Sequence, residues 1–292
     1  MKFKNIICTF LIGISISGFA FSDDLSDLNT CINNFRDELN TVIPNAATQT
    51  NVYADAWIGK FVPSLPMHFA AGIDGGITKF DISELKKASD ILHITNLPSS
   101  LLFPTINANA KIGGIFLPFD VGFSIFYFNS KDLNNIFKNI DIDFFTVSGN
   151  LRWAILQGKG ICPKWSIGAG YYYSKGSIGK TTGSSSIKFS YVTQTFVAET
   201  QVSKKFLFVT PFVGFRAIFC DSDITCNWNS SLGIGGVLNS EEHDKQDMFS
   251  NCTPQIFGGV GISIGLIEID VNAAYDFKHT AWSAGTSLRF QM

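Results

Sequence analysis

The chain is predicted to be all-β: a transmembrane, antiparallel up-and-down β-barrel of about twelve strands, within roughly ten to fourteen, preceded by a short N-terminal amphipathic helix. Three observations lead there. Apolar and polar residues alternate with period two through most of the 292 residues. Aromatic residues reach 14%, with 28 Phe, while charged residues stay at 16%. Connections between the alternating segments are short and long by turns.

The alternation is clearest in "IEIDVNAAYDF", residues 267–277. Successive side chains of a strand point to opposite faces, so Ile267, Ile269, Val271, Ala273, Tyr275 and Phe277 share one side. Glu268, Asp270, Asn272 and Asp276 share the other. "FTVSGNLRWAI", 145–155, sets Phe145, Val147, Leu151, Trp153 and Ile155 against Thr146, Ser148, Asn150 and Arg152. Further candidates are 51–61, 67–80, "NANAKIGGIF" at 107–116, 119–128, "WSIGAGYYY" at 165–173, 187–202, 206–219, 255–264 and the final "AWSAGTSLRFQM" at 281–292. Most are close to the roughly 9 to 11 residues that a tilted strand needs to cross a bilayer, and none is shorter. These are eleven candidates. A bacterial barrel is even-stranded, so the expected count is about twelve, the extra strand drawn from 46–50 or from "SLGIGGVLN" at 231–239, with ten as the next choice.

Composition makes lipid the natural neighbour of the apolar faces. Beyond the N-terminus no apolar run approaches the roughly 18 residues of a spanning helix, and a chain this hydrophobic without helical spans suits a wall in which only alternate residues are greasy. Connections at 62–66, 117–118, 157–164, 203–205 and 265–266 are short, whereas those at 81–103, 129–139, 175–186 and 220–254 are longer; 278–280 alone interrupts the alternation. A sandwich has no reason to sort its connections by parity, whereas a barrel has turns on one side and loops on the other.

At the N-terminus, Lys2 and Lys4 precede an apolar run from Ile6 to Ile16 and a small-residue exit at "GFAFS", the arrangement of a secretory signal peptide cleaved after Ser22 or Ala20. Expected domains are therefore a leader over 1–22, an amphipathic helix over 23–45 and a barrel over 46–292. In the helix Leu25, Leu28, Ile32, Phe35, Leu39 and Val42 recur at three- and four-residue steps. It is expected on the periplasmic side, or as a plug in the lumen.

The C-terminal "SLRFQM" resembles the targeting strand of bacterial outer-membrane proteins, with an aromatic residue close to the end and apolar residues at alternate positions before it. The resemblance implies insertion by the outer-membrane assembly machinery into a bacterial outer membrane, with that membrane's lipid as the surrounding partner. It extends as pattern from about Asn51 onward and points to porin-like barrels without selecting a subfamily.

Inward-facing polar residues would then line the lumen: Asn107, Asn109, Lys111, Asn150, Arg152, Arg216, Glu268, Asp270, Asn272, Asp276 and Arg289. They read as a charge-lined pore or as a cross-strand ion-pair ladder, in which Arg289 faces Glu268 or Asp270. The expected function is a passive channel or transporter for small polar or hydrophobic solutes. The rival is a surface adhesin or structural barrel with a closed lumen, acting through its loops. Of the cysteines, Cys220 and Cys252 flank the longest loop and are disulfide candidates, with Cys220–Cys226 as the rival pairing. No enzyme is expected: four histidines, His68, His93, His243 and His279, show no metal spacing, and only His279 lies near an acid and a hydroxyl, Asp276 and Ser283. No cofactor is expected. Nucleic acid is not an expected partner either, because the net charge is −2.

Overall fold

The computed structural model describes residues 3–49, 51–59, 68–91, 97–114, 117–130, 140–158, 160–182, 185–229, 235–239 and 252–292, with side chains described from Ser26 onward except in 235–239. A long helix, α1 (Phe3–Gln49), precedes β1 (His68–Asp81), a short helix α2 (Ser83–Ile91), and β2 (Ser100–Gly113), β3 (Phe119–Asn129) and β4 (Asp141–Gln157). Then follow β5 (Lys164–Thr182), β6 (Ser185–Ser203), β7 (Val209–Asn229), β8 (Gly235–Asn239), β9 (Cys252–Ile264), β10 (Ile267–Asp276) and β11 (Ala281–Gln291).

Every stave is antiparallel to its neighbours, and β1 pairs with β11 from Ala70↔Gln291 to Thr78↔Ser283, which closes the wall. The barrel has ten staves, β1 to β7 and β9 to β11, rather than about twelve. Two expectations account for the difference. The candidate strand at 51–61 is no stave: its described part, 51–59, is irregular and buried. "SLGIGGVLN" does hold a strand, β8, but it pairs with the outer end of β7 at Thr225↔Asn239 through Asn229↔Gly235 and stays outside the closed ring. The short turn expected at 62–66 lies outside the described residues.

The wall is inverted relative to a soluble protein. In β10 the burial alternates without exception, with Ile267, Ile269, Val271, Ala273 and Tyr275 exposed and Glu268, Asp270, Asn272, Ala274 and Asp276 buried. The same parity exposes Phe123, Ile125 and Tyr127 on β3 and Leu151, Trp153 and Ile155 on β4. Arg152, Arg216, Arg289 and Lys111 are among the most deeply buried side chains. Aromatic residues gather at both ends of the apolar belt, Tyr127, Tyr275, Phe277 and Trp282 at one and Trp165, Phe206, Phe208 and Phe290 at the other, as interfacial girdles require.

Of the 175–186 stretch, read from sequence as a long loop, the described residues 175–182 and 185–186 are instead strand: β5 and β6 pair from Lys164↔Ser203 to Thr182↔Ser185. Ile178, Ile187, Phe189 and Tyr191 are buried there, so an apolar inner face continues above the membrane belt. With 19, 19 and 21 residues, β5, β6 and β7 are twice as long as a crossing requires.

The helix expected over 23–45 continues to Gln49 with Pro44 inside it. Proline removes one backbone donor, and the burial of Ile43, Ala46 and Ala47 on either side of it holds the helical path. Leu28 to Gln49 occupies the lumen, a length of roughly 32 Å at ~1.5 Å per residue.

Val271, 61% exposed, sits halfway along β10. Val271→Arg should lower the unfolding free energy in lipid vesicles by about 2–4 kcal/mol, as an arginine at the bilayer midplane does. Denaturant titration measures this, and an unchanged midpoint would show that the outer face does not meet hydrocarbon.

Candidate functional site

Two layers fill the lumen. At the long-loop end Leu28, Ile32, Phe35, Leu39, Val42 and Ile43 of α1 join a cluster with Phe80, Leu85, Phe103, Phe144 and Phe189. Phe35 stacks on Phe80 at 5.6 Å between centroids and meets Phe189 edge-on at 4.7 Å. Helical spacing on α1 and period two on the staves bring these residues together, and aromatic contacts of this geometry add to the area buried. α2 caps the end, where Asn34 donates to Glu84 at 3.5 Å.

At the short-turn end the filling is a single extended chain. Beyond Gln49 the backbone of 51–59 descends the barrel axis, and six successive carbonyls accept hydrogen bonds from wall side chains. Arg289 Nη2 donates to Val52 O at 2.5 Å. Gln201 Nε2 donates to Tyr53 O at 2.7 Å and to Ala54 O at 3.3 Å. Arg152 Nη1 reaches Asp55 O at 3.0 Å, Ser166 Oγ reaches Ala56 O at 2.6 Å, and Lys164 Nζ reaches Trp57 O at 3.3 Å. Two amides donate in return, Ala56 N to Ser203 Oγ at 2.9 Å and Ile58 N to Asp120 Oδ2 at 2.8 Å.

Ion pairs hold those wall groups in place. Arg152 binds Asp120 through Nε at 3.0 Å and Nη2 at 2.8 Å, and Lys111 Nζ lies 3.7 Å from the same carboxylate. Arg289 pairs with Asp74 at 2.6 Å and with Asp270. Glu268 is its direct cross-strand neighbour, yet Glu268 Oε1 has no hydrogen-bond partner among the described residues. The Tyr53 ring takes Arg289 at 3.9 Å and Lys111 at 4.3 Å from its centroid, distances typical of cation–π contact. Its hydroxyl donates to Asn109, whose amide donates to Asp74 at 2.6 Å.

The remaining residues singled out from sequence also point inward. Arg216 donates to Thr48 O at 2.9 Å and packs on the Phe257 ring at 4.1 Å. Asn272 accepts from Gln49 and donates to Asp270 at 3.4 Å. Asn150 is buried with its Oδ1 unpartnered among the described residues. Asp276 accepts from Asn45 at 3.2 Å and from His279 at 2.9 Å, while Ser283 turns away to Gln49 at 2.9 Å, so the three do not converge. His68 lies by Met292 O at 3.1 Å; His93 and His243 lie outside the described residues.

Cys220 and Cys252 both carry free thiols, as do Cys31, Cys162 and Cys226. The disulfide expected between the first two is absent because Cys252 pairs with Phe219, one position off, which puts the thiols on opposite faces of the wall. Burial, with Glu84 beside it, raises the Cys31 thiol above its ordinary range.

Tyr53, Asp55, Asp74, Asp120, Lys164 and Gln201 escaped the sequence reading as site residues. Small residues offered the signal: Ala46, Ala47, Ala54 and Ala56 punctuate 45–59, the composition of a chain that must pass through a narrow bore.

Closed pairing, an apolar exterior and enclosed charges now stand together. The fold is that of the bacterial outer-membrane β-barrels. No family model and no curated protein matches the chain. Similar solved barrels include the outer membrane protease OmpT of Escherichia coli, at 10% identity, covering 78% of this chain and 99% of that one with a TM-score of 0.46. The translocator domain of autotransporter NalP from Neisseria meningitidis has 8% identity, covers 90% and 97%, and scores 0.44. A major outer membrane protein of Thermus thermophilus has 8% identity, covers 78% and 100%, and scores 0.39. These likenesses bear on the fold alone. They also correct the exclusion of enzymatic activity drawn from sequence, since a barrel among them is a protease and this outer-membrane barrel fold therefore does not exclude an enzyme.

Arg289→Leu leaves Asp74 and Asp270 buried without their cation and frees Val52 O. It should destabilise the refolded outer-membrane barrel by about 3–5 kcal/mol, read from urea midpoints in detergent. In the same preparation a membrane-impermeant maleimide should modify Cys252 quickly and Cys220 slowly, and equal rates would mean that the two thiols share a face.

Proposed function

We propose that the protein is a bacterial outer-membrane barrel with a closed lumen that acts at its surface end, as an adhesin-like or structural protein, after export by a cleaved leader over 1–22. One observation supports this reading above all: the lumen wall spends its hydrogen-bonding groups on the chain's own segment, from Thr48 O through Ile58 N. A polar conduit needs wall groups that face water or solute, and here Arg152, Arg289 and Gln201 face backbone. The expectation of a passive channel gives way on that ground.

The surface end has the substance that a contact role needs. β5, β6 and the outer part of β7 exceed a membrane crossing by roughly eight residues or more, which at ~3.3 Å per residue and the usual tilt projects them on the order of 20 Å past the belt. Their inner face is packed by Ile178, Ile187, Phe189, Tyr191 and Ile224, so the projection is a built wall and not a loose loop. Lipid of the outer membrane surrounds the belt below, and the assembly machinery inserts it.

Purified protein in planar bilayers should show no steady conductance steps. A variant lacking 23–59 removes the lumen filling and should conduct. Steady ohmic steps from the intact chain would overturn the closed-lumen reading.

A further inference from the structure

The filling of the lumen has a direction. α1 touches the apolar cluster with Leu28 and Phe35, beside α2 and the tops of β1 and β6. Asn45 then reaches Asp276 and Gln255 at the outer ends of β10 and β9. Gln49 meets Ser283 and Asn272, and Val52 meets Arg289. Asp55 reaches Gln291, the last residue of β11, at 2.9 Å and Lys164, the first of β5, at 2.8 Å. Ile58 ends beside Asp120 at the start of β3. The chain therefore travels from the long-loop end to the short-turn end, and β1 starts its return at His68.

The lumen admits only this polarity. Its long-loop half is apolar and its short-turn half is ionic, matching the apolar stripe of Leu28 to Val42 and the bare backbone of 52–58 respectively. Inserted the other way, Phe35 and Leu39 would meet Arg152 and Asp120, and the six carbonyls would lie among phenylalanines without donors, each at the cost of an unmade buried hydrogen bond.

In outer-membrane barrels the short turns are periplasmic and the long loops external. We infer that the end of α1 preceding Leu28 is displayed on the outer surface of the cell, so that the polypeptide N-terminal to the plug is carried outward through the barrel that it closes. A leader cleaved on the periplasmic side makes this a translocation: the new N-terminus begins on one side of the membrane and finishes on the other. The inference uses the course of α1 and not the contact role proposed above.

Two reporters test it in whole cells making the full-length protein, with heat-modifiable gel mobility confirming that each variant folds. One is a short epitope between Asp24 and Leu25, probed by antibody on intact and on permeabilised cells. The other is Asn29→Cys, an exposed position of α1, in a background with Cys252→Ser, probed with a membrane-impermeant maleimide. A matching epitope in the turn at Gly265 marks the periplasmic side. Labelling of both N-terminal reporters on intact cells, with the Gly265 epitope reached only after permeabilisation, is the expected result. N-terminal reporters silent until permeabilisation, alongside a normally folded barrel, would overturn the inference. Bilayer conductance of the intact chain would leave it standing while removing the closed lumen.

Discussion

Six carbonyls in a row, from Val52 to Trp57, pass down the axis of a closed wall where bulk water does not compensate them. A buried acceptor left unpaired costs about 1–3 kcal/mol, so a segment of this kind is tenable only if the wall supplies a donor at each level. Apart from Ser166, which meets Ala56 O, the donors are long side chains, Arg289, Gln201, Arg152 and Lys164. Two of these bring a buried guanidinium, and a buried guanidinium needs carboxylates. Asp120 serves Arg152, and Asp74 with Asp270 serves Arg289. The ionic ladder of the lumen is thus a consequence of the backbone it encloses, and stands as a scaffold of donors more than as a selectivity filter.

That dependence explains the division of the lumen. Where the enclosed chain is helical, its backbone groups are paired internally, and the surrounding wall turns to Phe80, Phe103, Phe144 and Phe189. Where the helix ends at Gln49 and the chain extends, the wall becomes charged. The change falls within a few residues, at the level where Asn45, Gln49, Asn272 and Gln255 exchange amide hydrogen bonds. Amide side chains both donate and accept, which suits them to a boundary between a self-sufficient helix and a backbone that relies on its surroundings.

The wall was legible from sequence because lipid imposes its pattern residue by residue. Val271 and Asn272 declare opposite faces wherever the strand begins or ends, and the parity of turns orients the whole. The lumen's content was not legible, since it obeys no period. "NVYADAW" alternates well enough to pass for a strand, with Val52, Ala54 and Ala56 on one side and Tyr53, Asp55 and Trp57 on the other. An enclosed chain buries both sides, so alternation there carries no information about a face. Inward-pointing Arg152, Arg216 and Arg289 were recognisable as enclosed charges. Their partners were harder to see. Asp74 lies on β1, which meets Arg289 of β11 only on closure, and Gln201 lies two staves from Arg152. Asp120, by contrast, faces Arg152 directly across the consecutive β3–β4 pair and was within reach of a register argument. The disulfide between Cys220 and Cys252 failed on a single step of register, which proximity in a loop diagram does not resolve.

A bore of ten staves stands between barrels filled by their own side chains and those wide enough to hold a water channel. Whether one chain fits depends on close contacts at particular levels. A side chain at Gly261 would run into Ala54, and one at Gly113 would run into the carbonyl of Ile58. Glycine on the wall and alanine on the segment meet at the same height, so space has been removed from both partners where they touch. Such reciprocal trimming has no purpose in an empty conduit, where a glycine would only widen the passage and an alanine would have nothing to avoid. It follows that the wall and the segment are packed as parts of one core, so that closing the lumen also adds to the stability of the barrel.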